Sequence, residues 1–148
     1  MKTKFSDYKE HYYKLEEFAR NEFDVNIVLD SIYEDYFYEM ISLITIGKKQ
    51  NWRGRYYSLL HEIGHLIISK DNDYRETYYP LGKQHYIHAN HNSKKAYISL
   101  VFEELDAWKL GLLYVKNKGL IYDLEYYHKI MTENVMSHAL YGIKKLYF

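Results

Sequence analysis

One pentapeptide dominates the chemistry this chain could perform: His61-Glu62-Ile63-Gly64-His65. Histidines four apart on an α-helix share a face, so both imidazoles can grip one metal ion. Glu62 sits beside them, within reach of a metal-bound water. A dipositive ion lowers the pKa of that water, the glutamate takes its proton, and the hydroxide is aimed at a carbonyl carbon. With 8 His and 12 Glu in 148 residues, chance supplies about 0.03 such matches. Tyr56-Tyr57-Ser58-Leu59-Leu60 precedes the motif and Leu66-Ile67-Ile68 follows it, an apolar setting that predicts a buried helix. The plainer reading is a pair of partly buried histidines beside an ion pair. It leaves Gly64 unexplained, because glycine inside a helix costs about 1 kcal/mol relative to alanine. Close approach of another backbone to that face would explain it.

A catalytic zinc site takes three protein ligands and keeps one position open. The chain has no cysteine, so the third ligand must be His, Asp or Glu. Asp71 follows His61 by ten residues, where one protease group places a histidine. Ile68, however, stands where that group needs a glycine for a tight turn, and a β-branched residue resists it. His85, His88 and His91 form a run at three-residue spacing, but in a polar stretch that also reads as a solvated loop. The strongest candidate lies in Val101–Gly111, where Glu103, Glu104 and Asp106 interrupt an otherwise apolar helix. An unpaired buried carboxylate is costly, and a metal supplies a reason for one. Val101, Leu105, Trp108 and Leu112 mark the predicted buried stripe. Glu104 borders it and is preferred to Glu103, and Asp106 is a candidate partner to orient a ligand histidine. An oxyanion would need a donor nearby, and Tyr86, His85, His88 and His138 qualify equally.

These residues need elements to position them. Apolar and aromatic side chains at Phe5, Tyr8, Tyr12, Leu15, Phe18 and Ala19 predict a helix over 5–22, with Ser6 or Asp7 as its cap. Val25–Leu29 and Met40–Ile46 read as strands, the second central or covered on one face and ended by Gly47. Aromatic alternation in 31–38 suits an intermediate strand. Helices are predicted over 53–69, 93–117 (stopped by Lys118-Gly119) and 122–140, followed by a short tail. Residues 70–93 hold the only proline, Pro80, and read as an exposed irregular excursion.

Twenty basic and twenty acidic residues cancel, which argues against a broad grip on nucleic acid. Without cysteine there are no disulfides, thiolate zinc sites or cysteine nucleophiles. No apolar run is long enough to span a membrane, and Met1–Glu10 lacks a signal-like apolar core, so a cytoplasmic location is expected. The 19 tyrosines each offer an apolar body and a polar tip to the core. A length of 148 residues fits a single domain.

Arg55-Tyr-Tyr-Ser-Leu-Leu-His61-Glu62-Ile-Gly-His65-Leu-Ile-Ile resembles the active-site helix of the ImmA/IrrE-like metallopeptidases. Glu103-Glu104-Leu-Asp106-Ala107-Trp108 resembles that family's second motif. The resemblance covers about residues 5 to 115. It implies an α+β, zincin-like domain over 1–148: an N-terminal helix, a small mixed sheet, the motif helix, a helix bearing a glutamate ligand, and a C-terminal helix. Carried over, His61, His65 and Glu104 hold Zn2+ and Glu62 is the general base. The implied substrate is a protein, such as a helix-turn-helix repressor supplied as a separate chain. The chain departs from the family in a longer excursion between the motifs, and in Gly111-Leu-Leu-Tyr where the family has Leu-Met-Pro. Two functions follow as expectations. One is a zinc peptidase. The other is a non-catalytic protein of the same fold that binds a repressor, antitoxin or host protein through its tyrosine-rich surface.

Overall fold

Tyr8, Tyr12, Leu15 and Ala19 recur at three- and four-residue steps and all are buried, which makes α1 (Phe5–Phe23) an amphipathic helix. The computed structural model describes residues 4–32, 34–48, 50–73 and 94–147. After α1 come β1 (Asn26–Ser31), β2 (Tyr36–Tyr38), a 3-10 turn (Glu39–Ile41) and β3 (Leu43–Gly47). The helices α2 (Trp52–Lys70), α3 (Lys94–Asn117) and α4 (Leu124–Tyr147) complete the order. The architecture is α+β and mostly helical, with one small mixed sheet among the described residues. No helix among them is long and apolar enough to cross a membrane.

The cap of α1 differs from expectation. Ser6 and Asp7 lie inside the helix, and Asp7 reaches back so that its Oδ2 accepts the Lys4 N–H at 3.0 Å. Phe18 is exposed, although its spacing suggested the buried face.

The sheet order is β1-β3-β2, with β1 parallel and β2 antiparallel to β3. Strand β3 is central, as its apolar run predicts, and Ile44, Thr45 and Ile46 are all buried. The strand expected within 31–38 forms over Tyr36–Tyr38 and lies at the edge of the sheet; Ser31 belongs to β1. Met40 and Ile41 are not strand. They sit in the connection that reverses the chain between β2 and β3, largely exposed, and Ser42 completes the reversal in the left-handed region at φ 48°. Antiparallel neighbours need a short reversing link, and that demand outweighs the apolar character of these two residues.

Helix α2 is the centre of the molecule. It starts at Asn51, whose Oδ1 accepts the Gly54 N–H at 2.8 Å. Its middle, from Tyr56 to Leu66, is buried at every position except half-buried Ser58, as befits a helix covered by α1, the sheet and α3. The Asp35 carboxylate accepts from Gly47 N–H (2.6 Å), from Gln50 Nε2 (2.7 and 2.8 Å) and from Ser58 Oγ (2.9 Å). Those bonds lock the end of the sheet to the first turns of α2, just before the histidine motif.

Helix α3 ends as Lys118-Gly119 predicts. Gly119 adopts φ +67°, its N–H bonds Lys116 O at 3.1 Å, and the Leu120 N–H bonds Val115 O at 3.1 Å. The link to α4 is pinned on α2: Tyr56 OH donates to Ile121 O (2.6 Å), and the Asp123 N–H donates to Tyr57 OH (2.7 Å). Asp123 Oδ1 then caps α4 by accepting the Tyr126 N–H at 3.1 Å. Helix α4 runs on to Tyr147, so the expected tail after Leu140 is helical. Gly142 is buried in that extension; a Cβ there would lie 3.1 Å from the Tyr97 ring, so packing on α3 offsets its poor helix propensity.

Candidate metal centre

His61 and His65 face the same way from α2, one turn apart, and Glu104 meets them from α3. One donor atom from each lies within 4.8 Å of the other two, and all three residues are buried. His61 Nε2 is 2.8 Å from Glu104 Oε2, His65 Nε2 is 3.2 Å from Glu104 Oε1, and the two Nε2 atoms are 3.1 Å apart. For metal–ligand bonds of about 2.0–2.1 Å, the edge of a coordination tetrahedron is about 3.3 Å. The 3.1 and 3.2 Å separations come near that edge and the 2.8 Å contact, to the other carboxylate oxygen, is shorter; the donor set of two imidazoles and a carboxylate suits a first-row dication. The residues present therefore fit a metal ion.

Two glycines set the spacing between the helices. A Cβ on Gly64 would fall 1.8 Å from the Ala107 carbonyl oxygen, and one on Gly111 would fall 2.1 Å from the Leu60 carbonyl oxygen. Backbones thus touch at two points one turn apart, with Leu60 and Gly64 ascending α2 against Gly111 and Ala107 descending α3. This is the close approach that Gly64 foretold. It also rotates α3 relative to expectation. The face against α2 is built on Glu103, Glu104, Ala107, Trp108 and Gly111; of the expected stripe, Trp108 and Leu112 are buried, while Val101 and Leu105 are only half-buried. At the two points of backbone contact only small residues, Gly64, Ala107 and Gly111, allow the approach, with Trp108 and the two glutamates flanking them.

Both glutamates are consequently buried, Glu103 at 5% and Glu104 at 3% exposure. Burial by itself pushes the Glu104 carboxyl up, but His65 and His61 outweigh it and hold the group well below the usual carboxylate range. The carboxylate beside His65 Nδ1 is Glu103, with Oε1 3.9 Å away, where the sequence suggested Asp106; Asp106 is half-buried. Glu62 is buried as well. Its Oε1 is 3.5 Å from His61 Nδ1, and its Oε2 has no hydrogen-bond partner among the described residues. A desolvated carboxylate oxygen without a donor is costly, so its retention needs a reason.

The remaining candidates fall apart from this cluster or outside it. Asp71 is exposed at the end of α2, its N–H bonded to Ile68 O at 3.3 Å, because the helix continues past the position where a turn would be needed. His85, Tyr86, His88 and His91 lie outside the described residues, as does most of the predicted excursion. His138, on α4, brings Nε2 to 3.6 Å from Glu104 Oε2, and its side chain is one-third exposed. Sequence reasoning missed Trp108 as more than core. Its indole stacks on the His61 ring at 4.4 Å and 8° between planes, and its Nε1 donates to Asn134 Oδ1 at 2.9 Å. The usable signal was spacing, since Trp108 lies four residues after Glu104 and shares its face.

Compared with known protein families, curated proteins and solved structures, the chain matches none.

Proposed function

We propose that this chain is a zinc-dependent peptidase that hydrolyses a peptide bond in a protein substrate. The observation that carries the reading is the buried convergence of His61, His65 and Glu104 from two helices, with Glu62 Oε2 beside it buried and without a hydrogen-bond partner among the described residues. The resemblance of the two motifs to the ImmA/IrrE-like metallopeptidases supports the same assignment, and with it a repressor-like protein as substrate. Zinc held by this set would supply Lewis acidity, polarising a carbonyl oxygen and acidifying a water. Glu62 accepts the proton of that water and passes it to the departing amine nitrogen, so the proton balance closes within one side chain. His138, one-third exposed and 3.6 Å from Glu104 Oε2, is suited to donate a hydrogen bond to the carbonyl oxygen as charge develops there. Burial of the ligand set excludes bulk water and strengthens each of these interactions.

The test is Glu62→Gln alongside His61→Ala, with metal analysis, melting temperature and digestion of a mixed peptide library. Wild type is expected to hold about one zinc per chain and to cleave. Glu62→Gln should keep metal and fold and lose cleavage. His61→Ala should lose the metal. Wild-type protein without zinc, or Glu62→Gln cleaving at the wild-type rate, would overturn the proposal. Zinc uptake without any cleavage would instead favour the non-catalytic binding role.

A further inference from the structure

We infer that Trp108, held by Asn134, is a positioning residue that fixes the ring plane of His61 for metal binding. The inference rests on the metal-binding reading above and extends it to α4, which supplies no residue to the His61, His65 and Glu104 set. A histidine ring turns about its Cβ–Cγ bond in a broad, roughly two-fold well, so a rotamer alone does not aim Nε2. Ligand histidines are usually aimed by a hydrogen bond on the other ring nitrogen. At His61 the carboxylate oxygen Glu62 Oε1 is 3.5 Å from Nδ1, longer than an ordinary N–H···O bond. What lies flat against the ring is the indole of Trp108, at 4.4 Å and within 8° of parallel. Rotation of the imidazole out of the plane that points Nε2 at Glu104 would drive its edge into the indole.

The indole is fixed in turn. Its Nε1 donates to Asn134 Oδ1 at 2.9 Å, and Tyr127 meets it edge-on, with centroids 5.9 Å apart. Both partners are on α4. Trp108 itself is 4% exposed, so a lost Nε1 partner would leave a buried donor unsatisfied and free the ring to shift. The chain of contacts runs from α4 through Asn134 and Trp108 to His61, and it explains why a tryptophan sits one turn beyond the glutamate.

The test measures zinc affinity of the folded protein by chelator competition, with the melting temperature of the metal-free form recorded beside it. Trp108→Leu removes the flat face and is expected to weaken zinc binding about 10–100-fold. Trp108→Phe keeps an aromatic face but loses the same Nε1 bond to Asn134, so it should weaken binding about 3–10-fold, less than Trp108→Leu. Asn134→Leu keeps the indole but loses its anchor, and should weaken binding about 3–10-fold. Should Trp108→Leu fail to fold, Asn134→Leu and Trp108→Phe carry the test. A purely structural role would lower the melting temperature of these variants and leave zinc affinity untouched; that result overturns the inference. Absence of zinc uptake by the wild-type chain overturns the metal-binding reading itself, and this inference with it.

Discussion

Gly64→Ala separates two physical effects of opposite sign. In an ordinary helix interior the substitution stabilises by about 1 kcal/mol, because alanine has the better propensity. Here the new Cβ would lie 1.8 Å from Ala107 O, and real Cβ atoms essentially never come within 3.0 Å of such an atom. Helix α3 must therefore recede by at least about 1.2 Å. Glu104, three residues from Ala107, would move with it, so the 2.8 Å contact between His61 Nε2 and Glu104 Oε2 would open to about 4.0 Å. Overpacking of this kind costs about 1–3 kcal/mol, and the loosened buried carboxylate adds about 1–3 kcal/mol more. After the propensity gain, the net loss is about 1–5 kcal/mol, or a fall in Tm of roughly 2–20 °C. Zinc affinity should fall by about 10–100-fold, since the three donors would no longer converge on one coordination face. Thermal denaturation and chelator competition measure the two outcomes separately. A Tm that rises by a few degrees with zinc affinity intact would refute the reasoning, because it would mean that the helix contact is not as close as described.

Other expectations follow from the same structure. Gly111→Ala should behave like Gly64→Ala, with a lower Tm, because its Cβ would meet Leu60 O at 2.1 Å; an unchanged melting curve would contradict this. Glu104→Ala should abolish stable zinc binding while far-ultraviolet dichroism stays helical, and equal zinc content in variant and wild type would remove Glu104 from the ligand set. On the proposed peptidase function, His138→Ala should leave zinc content and Tm unchanged and lower kcat/KM about 10²-fold, and undiminished turnover would exclude it as a donor. Alkali should unfold the protein in one step. Burial pushes Tyr114 and Tyr127 up to about 12 and raises Tyr12, Tyr56 and Tyr57 further. Their contribution to stability is complete below pH 10, the unfolded value, and is lost as pH rises beyond it. At pH 11 the five together would cost up to about 7 kcal/mol, comparable with the whole stability of a domain. Tyrosinate absorbance and helical dichroism should then change together near pH 11; free titration of all tyrosines with the helices intact would contradict this account.

Local rules reach a long way into this chain. The four-residue step of His61 and His65 puts both imidazoles on one face whatever surrounds them, and Asp123, Gly119 and Asn51 act at helix ends through bonds to residues within a few positions. The buried apolar run of β3 and the cost carried by Gly64 are also readable one residue at a time. Where long-range contact decides, spacing is silent. The carboxylate that meets the histidines is 43 residues from His61 in sequence. The sequence already favoured Glu104 over Asp71, but the contact itself exists because Gly64 and Gly111 let two backbones touch and turn that face of α3 toward the histidines. The same contact buries Glu103 beside His65, where the sequence suggested Asp106. Edge placement of β2, the reversal at Met40 and Ile41, and the continuation of α4 past Gly142 are likewise set by neighbours distant in sequence. A helix's own residues determine which side chains share a face; only packing against another element determines which face is buried and what it meets.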